Sequence, residues 1–131
     1  MSDILKKRIF LMDVLIQFVV ALMFGMAGLM KATQPKEKLA SNMGWVNDFS
    51  QLQVRGIGIL EILGAIGVIL PKLTNILPFL TPLAALGLML TMIGAALVHL
   101  RRKEYPLIGV NLFLFILAGI VLLNNWYLLT A

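Results

Sequence analysis

Four long apolar runs, separated by short stretches of charge, proline and asparagine, constrain this chain more than any other feature. They cover residues 11–30, 52–70, 77–100 and 107–129. A hydrocarbon layer of about 30 Å is crossed by roughly 20 apolar residues in a helix, so each run is long enough to span it. In 131 residues four spans leave room only for short links, which predicts one membrane domain over residues 1–131. Charged residues make up 13% of the chain against roughly 25% in soluble domains, too few for an ordinary water-facing surface. The fold expected is all-α: an antiparallel four-transmembrane-helix bundle with a short interfacial segment in the first loop.

The links between the runs set the topology. Lys6, Lys7 and Arg8 precede the first run as in a signal peptide, but the apolar stretch is too long and no small-residue cleavage site closes it, so a permanent span is expected. The one sizeable loop, residues 31–51, carries Trp45 and Phe49, whose rings suit the membrane interface. They serve there as an anchor or, with Trp45 over an opening, as a lid. Pro71 is expected to end the second helix and the Pro78 to Pro82 region to open the third. A net charge of +5 lies mostly between the runs, which points to anionic lipid heads and not to nucleic acid. Lys6, Lys7, Arg8 and Lys72 gather on one side, and Lys31, Lys36, Lys38, Arg55, Arg101, Arg102 and Lys103 on the other, nominally the inner one. With Lys31 and Arg55 turned into the bundle the contrast shrinks to five against four, and dominance of the first helix then favours a cytoplasmic N-terminus. With no cysteine, disulfides and thiolate metal sites are excluded. One histidine and scattered acids predict no metal site.

The informative residues are the polar ones inside the runs. A carboxylate at a span's centre costs about 3 kcal/mol on insertion scales, while each Leu, Ile or Val contributes only about 0.5 in the other direction. Glu61 therefore needs a partner, a proton or a water-filled cavity. At about 100° per residue, Gly58, Glu61, Gly64 and Ala65 share one side of their helix, a small-residue stripe that admits a neighbour and turns Glu61 inward. The third run repeats the device with Ala84, Gly87, Thr91, Gly94 and Ala95, and His99 lies at its edge. The first aligns Asp13, Gln17, Ala21, Phe24, Gly28 and Lys31; the fourth aligns Asn111, Phe115, Ala118, Leu122 and Asn125.

Antiparallel packing puts Lys31, Arg55 and His99 at one mouth. Glu61 lies about 9 Å deeper than Arg55, and Asn111 about 8 Å below Pro106, with Phe24 and Thr91 in the same region. Each residue has a plainer reading beside this one. Gly and Ala stripes pack helices, Asn and Thr bond them, Lys31 and Arg55 snorkel to lipid heads, His99 sits at the interface, and Glu61 belongs to a structural ion pair. Asp13 and Gln17, at the other end, form a second polar patch with Asn75, Asn124 or Asn125, or meet interfacial water. The eight methionines read as adaptable core filling.

The run from Arg55-Gly56-Ile57-Gly58 through Glu61 and Gly64 to Pro71 resembles the second helix of the DoxX-like membrane proteins. Phe24-Gly25 through Lys31 resembles the end of their first helix. Leu83-Ala84-Ala85 through Gly94-Ala95-Ala96 and His99-Leu100-Arg101-Arg102 resembles their third. The resemblance implies a multi-pass protein, in a bacterial inner membrane, from a family linked to a quinol oxidase subunit, to membrane oxidoreductase complexes and, distantly, to a receptor-assembly chaperone. The family's recurring polar positions fall here on Lys31, Arg55, Glu61 and His99. The function expected is a pocket lined by Lys31, Arg55, Glu61, Thr91, His99, Asn111 and Phe24, holding a quinone-like or other lipid-soluble molecule. No cofactor is encoded by motif; a bound quinone or lipid is the candidate. Partners expected are membrane lipids, with a membrane-protein partner or a homo-oligomer. An assembly or scaffold factor without catalysis and a small transporter stand as alternatives, and whether the chain is an enzyme stays open.

Overall fold

Ser2 opens the first helix: its hydroxyl accepts the backbone N–H of Leu5, and Asp3 sits in the first turn, where the exposed amide dipoles favour an acid. That helix, α1 (Asp3–Thr33), is 31 residues long in the computed structural model, which describes residues 2–130. It starts well before residue 11. At about 46 Å it exceeds the hydrocarbon layer, so the turns bearing Lys6, Lys7 and Arg8 extend past the apolar zone. A short helix α2 (Lys36–Leu39) and a 3-10 turn (Gly44–Asp48) form the expected first-loop segment, packed on Leu39, Val46 and Val54. Then come α3 (Gln51–Gly67), α4 (Leu70–Thr74), α5 (Leu80–Arg101), α6 (Tyr105–Asn124) and α7 (Tyr127–Thr130). Ser50 and Gln53 close a reciprocal capping box at the start of α3.

The second apolar run breaks one turn earlier than its composition suggests. Pro71 has no N–H to give the carbonyl of Gly67, and its ring crowds that carbonyl, so α3 ends at Gly67 and Pro71 sits in the first turn of α4. The carbonyl of Val68 instead accepts Gln17 Nε2 at 2.7 Å, which replaces a lost backbone bond with a tie to α1. The third helix begins at Leu80 and not at residue 77, because Asn75 (φ 56°) and Leu77 (φ 48°) hold left-handed conformations that no right-handed helix passes through. The fourth ends at Asn124, where the backbone of Asn125 leaves the helical region.

Four segments are long and apolar enough to cross a membrane: Asp3–Thr33, Gln51–Thr74, Leu80–Arg101 and Tyr105–Asn124. Only 22–28% of each is buried against protein, so apolar surface faces outward all round, an arrangement suited to lipid and not to water. The neighbours form a ring: α1 touches α3 and α6, and α5 touches α3 and α6. The central core comes from all of them, with Val20 and Phe24, Ala65 and Val68, Ala85 and Leu88, and Ala118 and Val121 buried together.

Glycine decides how close the helices come. A Cβ on Gly58 would stand 2.6 Å from the Gly28 oxygen and from the Ala32 nitrogen, so α1 and α3 approach backbone to backbone. Between α3 and α5, Gly64 is the notch that receives Leu88, and Gly67 receives Ala84.

Candidate functional site

Towards the end that carries the first loop, the α1/α3 pair and the α5/α6 pair enclose a cavity of about 420 Å³. The tight crossing at Gly28 and Gly58 sets its first wall. Across this antiparallel crossing Gly28 faces the stem of Glu61 and Gly58 the stem of Lys31, and Lys31 Nζ reaches Glu61 Oε1 at 2.6 Å. Glu61 is 2% exposed and its Oε2 has no hydrogen-bond partner among the described residues. The Lys31 ammonium also stands 5.6 Å from the centre of the Trp45 ring, within cation–π range, and Trp45 meets Phe49 edge to face at 5.6 Å. Both rings line the cavity from the first loop.

The other hairpin supplies neutral polar groups. Asn111 is buried; its Nδ2 donates to Met92 Sδ at 3.8 Å, and its Oδ1 is buried without a partner. Thr91 Oγ1 donates to the Gly87 carbonyl at 2.9 Å, as hydroxyls in apolar helices do to satisfy their proton, which leaves its lone pairs as acceptors. His99 lies near the rim with Nδ1 3.2 Å from Glu104 Oε1.

That histidine begins a chain of ties that holds the first loop down. Glu104 Oε1 also accepts Arg102 Nε at 2.9 Å, and Arg102 Nη1 donates to Asp48 Oδ2 at 2.8 Å. The hydrogen bond from His99, with Arg102 beside it, holds the Glu104 carboxyl below its ordinary range, although desolvation opposes this. Arg102 is shifted upward, first by its bond to Asp48. A carboxylate whose folded pKa is depressed contributes above its unfolded value and stops contributing as pH falls through the folded one. The loop is therefore expected to be held at neutral pH and to loosen on acidification past the carboxylate range. With Trp126→Phe leaving Trp45 as the sole reporter of two tryptophans, acrylamide quenching should rise in acid, and Glu104→Gln should blunt that rise.

The cavity brings together Phe24, Lys31, Trp45, Glu61, Thr91, His99 and Asn111. Arg55 is not among them and is exposed. It is six residues from Glu61, which is about 120° around the helix, so when Glu61 faces inward Arg55 faces out. The expectation that Arg55 contributes to the pocket is thereby overturned, as is the five-against-four charge balance that assumed it turned inward. Among the described residues Lys31 is the one lysine or arginine that lines the cavity. The second polar patch forms at the far end: Asp13 pairs with Lys72 at 2.7 Å and accepts from Asn124 at 3.3 Å and from Asn125 at 3.2 Å. Asn75 is exposed and outside it. Met92 and Leu60 were not legible as lining residues, because apolar residues in an apolar run carry no mark of which ones face a void; Gly94 lines the cavity, but it and Gly87 of the expected packing stripe are exposed, with no neighbour against them.

A family model described as the DoxX-like family matches residues 15–121, a stretch that includes all the cavity-lining residues. No curated protein and no solved structure matches the chain.

Proposed function

The chain belongs to the DoxX-like family, and from that premise we propose that this small integral membrane protein binds a lipid-soluble molecule with a quinone-like head in the cavity between its two hairpins. The observation that carries the reading is the cavity itself, largely apolar, with the Lys31–Glu61 pair on one wall and the Asn111 side chain on the other. Asn111 Oδ1 is buried without a partner, at a cost of about 1–3 kcal/mol that is recovered where the amide turns to meet a ligand hydroxyl. On the facing wall Lys31 donates to a ligand oxygen, and Glu61 Oε2 accepts from a hydroxyl. A ring with oxygens on two sides and apolar substituents meets both walls. The cavity volume lies within the range of roughly 300–1,000 Å³ usual for small-molecule sites.

The chain has no cysteine and no redox cofactor motif, so electrons for such a ring come from outside it. The role this supports is an accessory subunit that holds a quinone or quinol for a membrane oxidoreductase system. The test is extraction: the protein is taken gently into nanodiscs and its co-purifying lipids are identified by mass spectrometry. Wild type is expected to retain a ring-bearing lipid selectively, and Asn111→Leu to retain it about tenfold less, the equivalent of one hydrogen bond of about 1.4 kcal/mol. Bulk lipid alone, identical in wild type and Asn111→Leu, overturns the reading and favours an assembly factor.

A further inference from the structure

We infer that the cavity opens sideways into the bilayer between α3 and α5, and that its ligand is a single-tailed amphiphile whose chain leaves through this opening. The inference rests on the ligand-binding reading of the cavity and adds the class of molecule and its route. Below the cavity, α3 and α5 are sealed by Leu88 in the Gly64 notch and Ala84 against Gly67. The same antiparallel register, continued for one and two turns past Gly64, sets Leu60 opposite Thr91 and Ile57 opposite Gly94, and these four residues line the cavity. Here the seal is missing. Leu60 is 63% exposed, Gly94 is exposed, and nothing lies within 4 Å of where a Gly94 Cβ would stand. A residue that lines an internal space and also faces the outside marks an opening between the two.

Depth and chemistry identify what passes through it. Gly94 lies seven residues before Arg101, the last residue of α5, which is about 10 Å along the helix and inside the acyl layer. The rim is Ile57, Leu60, Gly94 and Val98, with no charge, and suits methylene or isoprene units better than a headgroup. The water-facing end is covered instead by Trp45 and Phe49, held by the Arg102–Asp48 bond. A cavity of about 420 Å³ has room for a ring and short substituents between Lys31, Glu61 and Asn111. A long tail has to trail outward, and the bilayer is the solvent it prefers.

The test uses the full chain in nanodiscs and two probes: a benzoquinone carrying two isoprene units, and the same ring without a tail. Gly94→Trp fills the opening; Gly87→Trp, on the same helix with equally open space but outside the cavity, is the control for folding and for bulk at the lipid face. Wild type and Gly87→Trp are expected to bind the tailed probe at least tenfold more tightly than the tailless one. Gly94→Trp should erase that advantage and keep tailless binding. Equal binding of the tailed probe by Gly94→Trp and wild type overturns the side opening, as does loss of both probes alike in Gly94→Trp or equal binding of both by wild type; each of these leaves the ligand reading of the cavity standing. No binding of either probe by wild type overturns the ligand reading, and this inference with it.

Discussion

Lys31→Met is expected to destabilise the protein by roughly 3–5 kcal/mol, the range for removing one partner of a buried ion pair. Its ammonium lies 2.6 Å from Glu61 Oε1, and the two side chains are 12% and 2% exposed. Without Lys31, the carboxylate has no second cation among the described residues to turn to, since Arg55 faces away. It must shed its charge or draw water into the cavity. The double variant Lys31→Met, Glu61→Gln should recover most of the loss, because a neutral pair of similar volume carries no stranded charge. Glu61→Gln alone should be milder, since Lys31 lies near the end of α1 and its stem is long enough to lift the ammonium towards the lipid heads. Denaturation by SDS titration in mixed micelles, with a double-mutant cycle, measures all three. A Lys31→Met protein as stable as wild type would mean that the pair contributes nothing net.

Gly58→Ala should cost about 3 kcal/mol, at the upper end for overpacking, and should also loosen the cavity. The added methyl would meet main chain on the facing helix, 2.6 Å from both the Gly28 oxygen and the Ala32 nitrogen, and main chain cannot rotate aside as a flexible side chain can. The helices must separate, and the Lys31–Glu61 contact across the same crossing lengthens with them. Gly56→Ala, two residues away with nothing within 4 Å, is the matched control. There the methyl only removes glycine's conformational freedom in a helix, a gain of up to about 1 kcal/mol. Opposite signs at neighbouring glycines in the same unfolding assay are the expected outcome; equal effects would show that α1 and α3 do not approach as closely as described.

Much of the architecture is legible in the amino-acid order. A span is a property summed over some twenty residues, so the four helices follow from composition alone, and errors fall at their ends, where single residues decide. The earlier ending of α3 illustrates this: Pro71 was a plain breaker, but its effect falls on residue 67, four positions back, because the missing N–H belongs to the Gly67 carbonyl. The inward turn of Glu61 was legible for a different reason. A carboxylate among lipid tails has few alternatives to facing its own protein. Likewise Asp13 announced a second polar patch, though which asparagines join it depended on how the chain leaves α6, and Gln17 bonds the Val68 carbonyl instead of joining it.

The choice of cation, and the cavity itself, came only from the assembled helices. Lys31 and Arg55 look equivalent as basic residues near helix ends; helical phase sends Arg55 outward, and the glycine crossing of α1 and α3 brings Lys31 to the carboxylate. A void is the space that four surfaces fail to fill, so it belongs to no single segment and leaves no pattern in any of them. The amino-acid order therefore determined the spans and the acid that must be answered within them, because transfer into lipid is a local free energy summed along the chain. The partner, the opening and the space between the hairpins were decided by relative rotation and approach of helices, which depend on contacts between residues far apart in sequence.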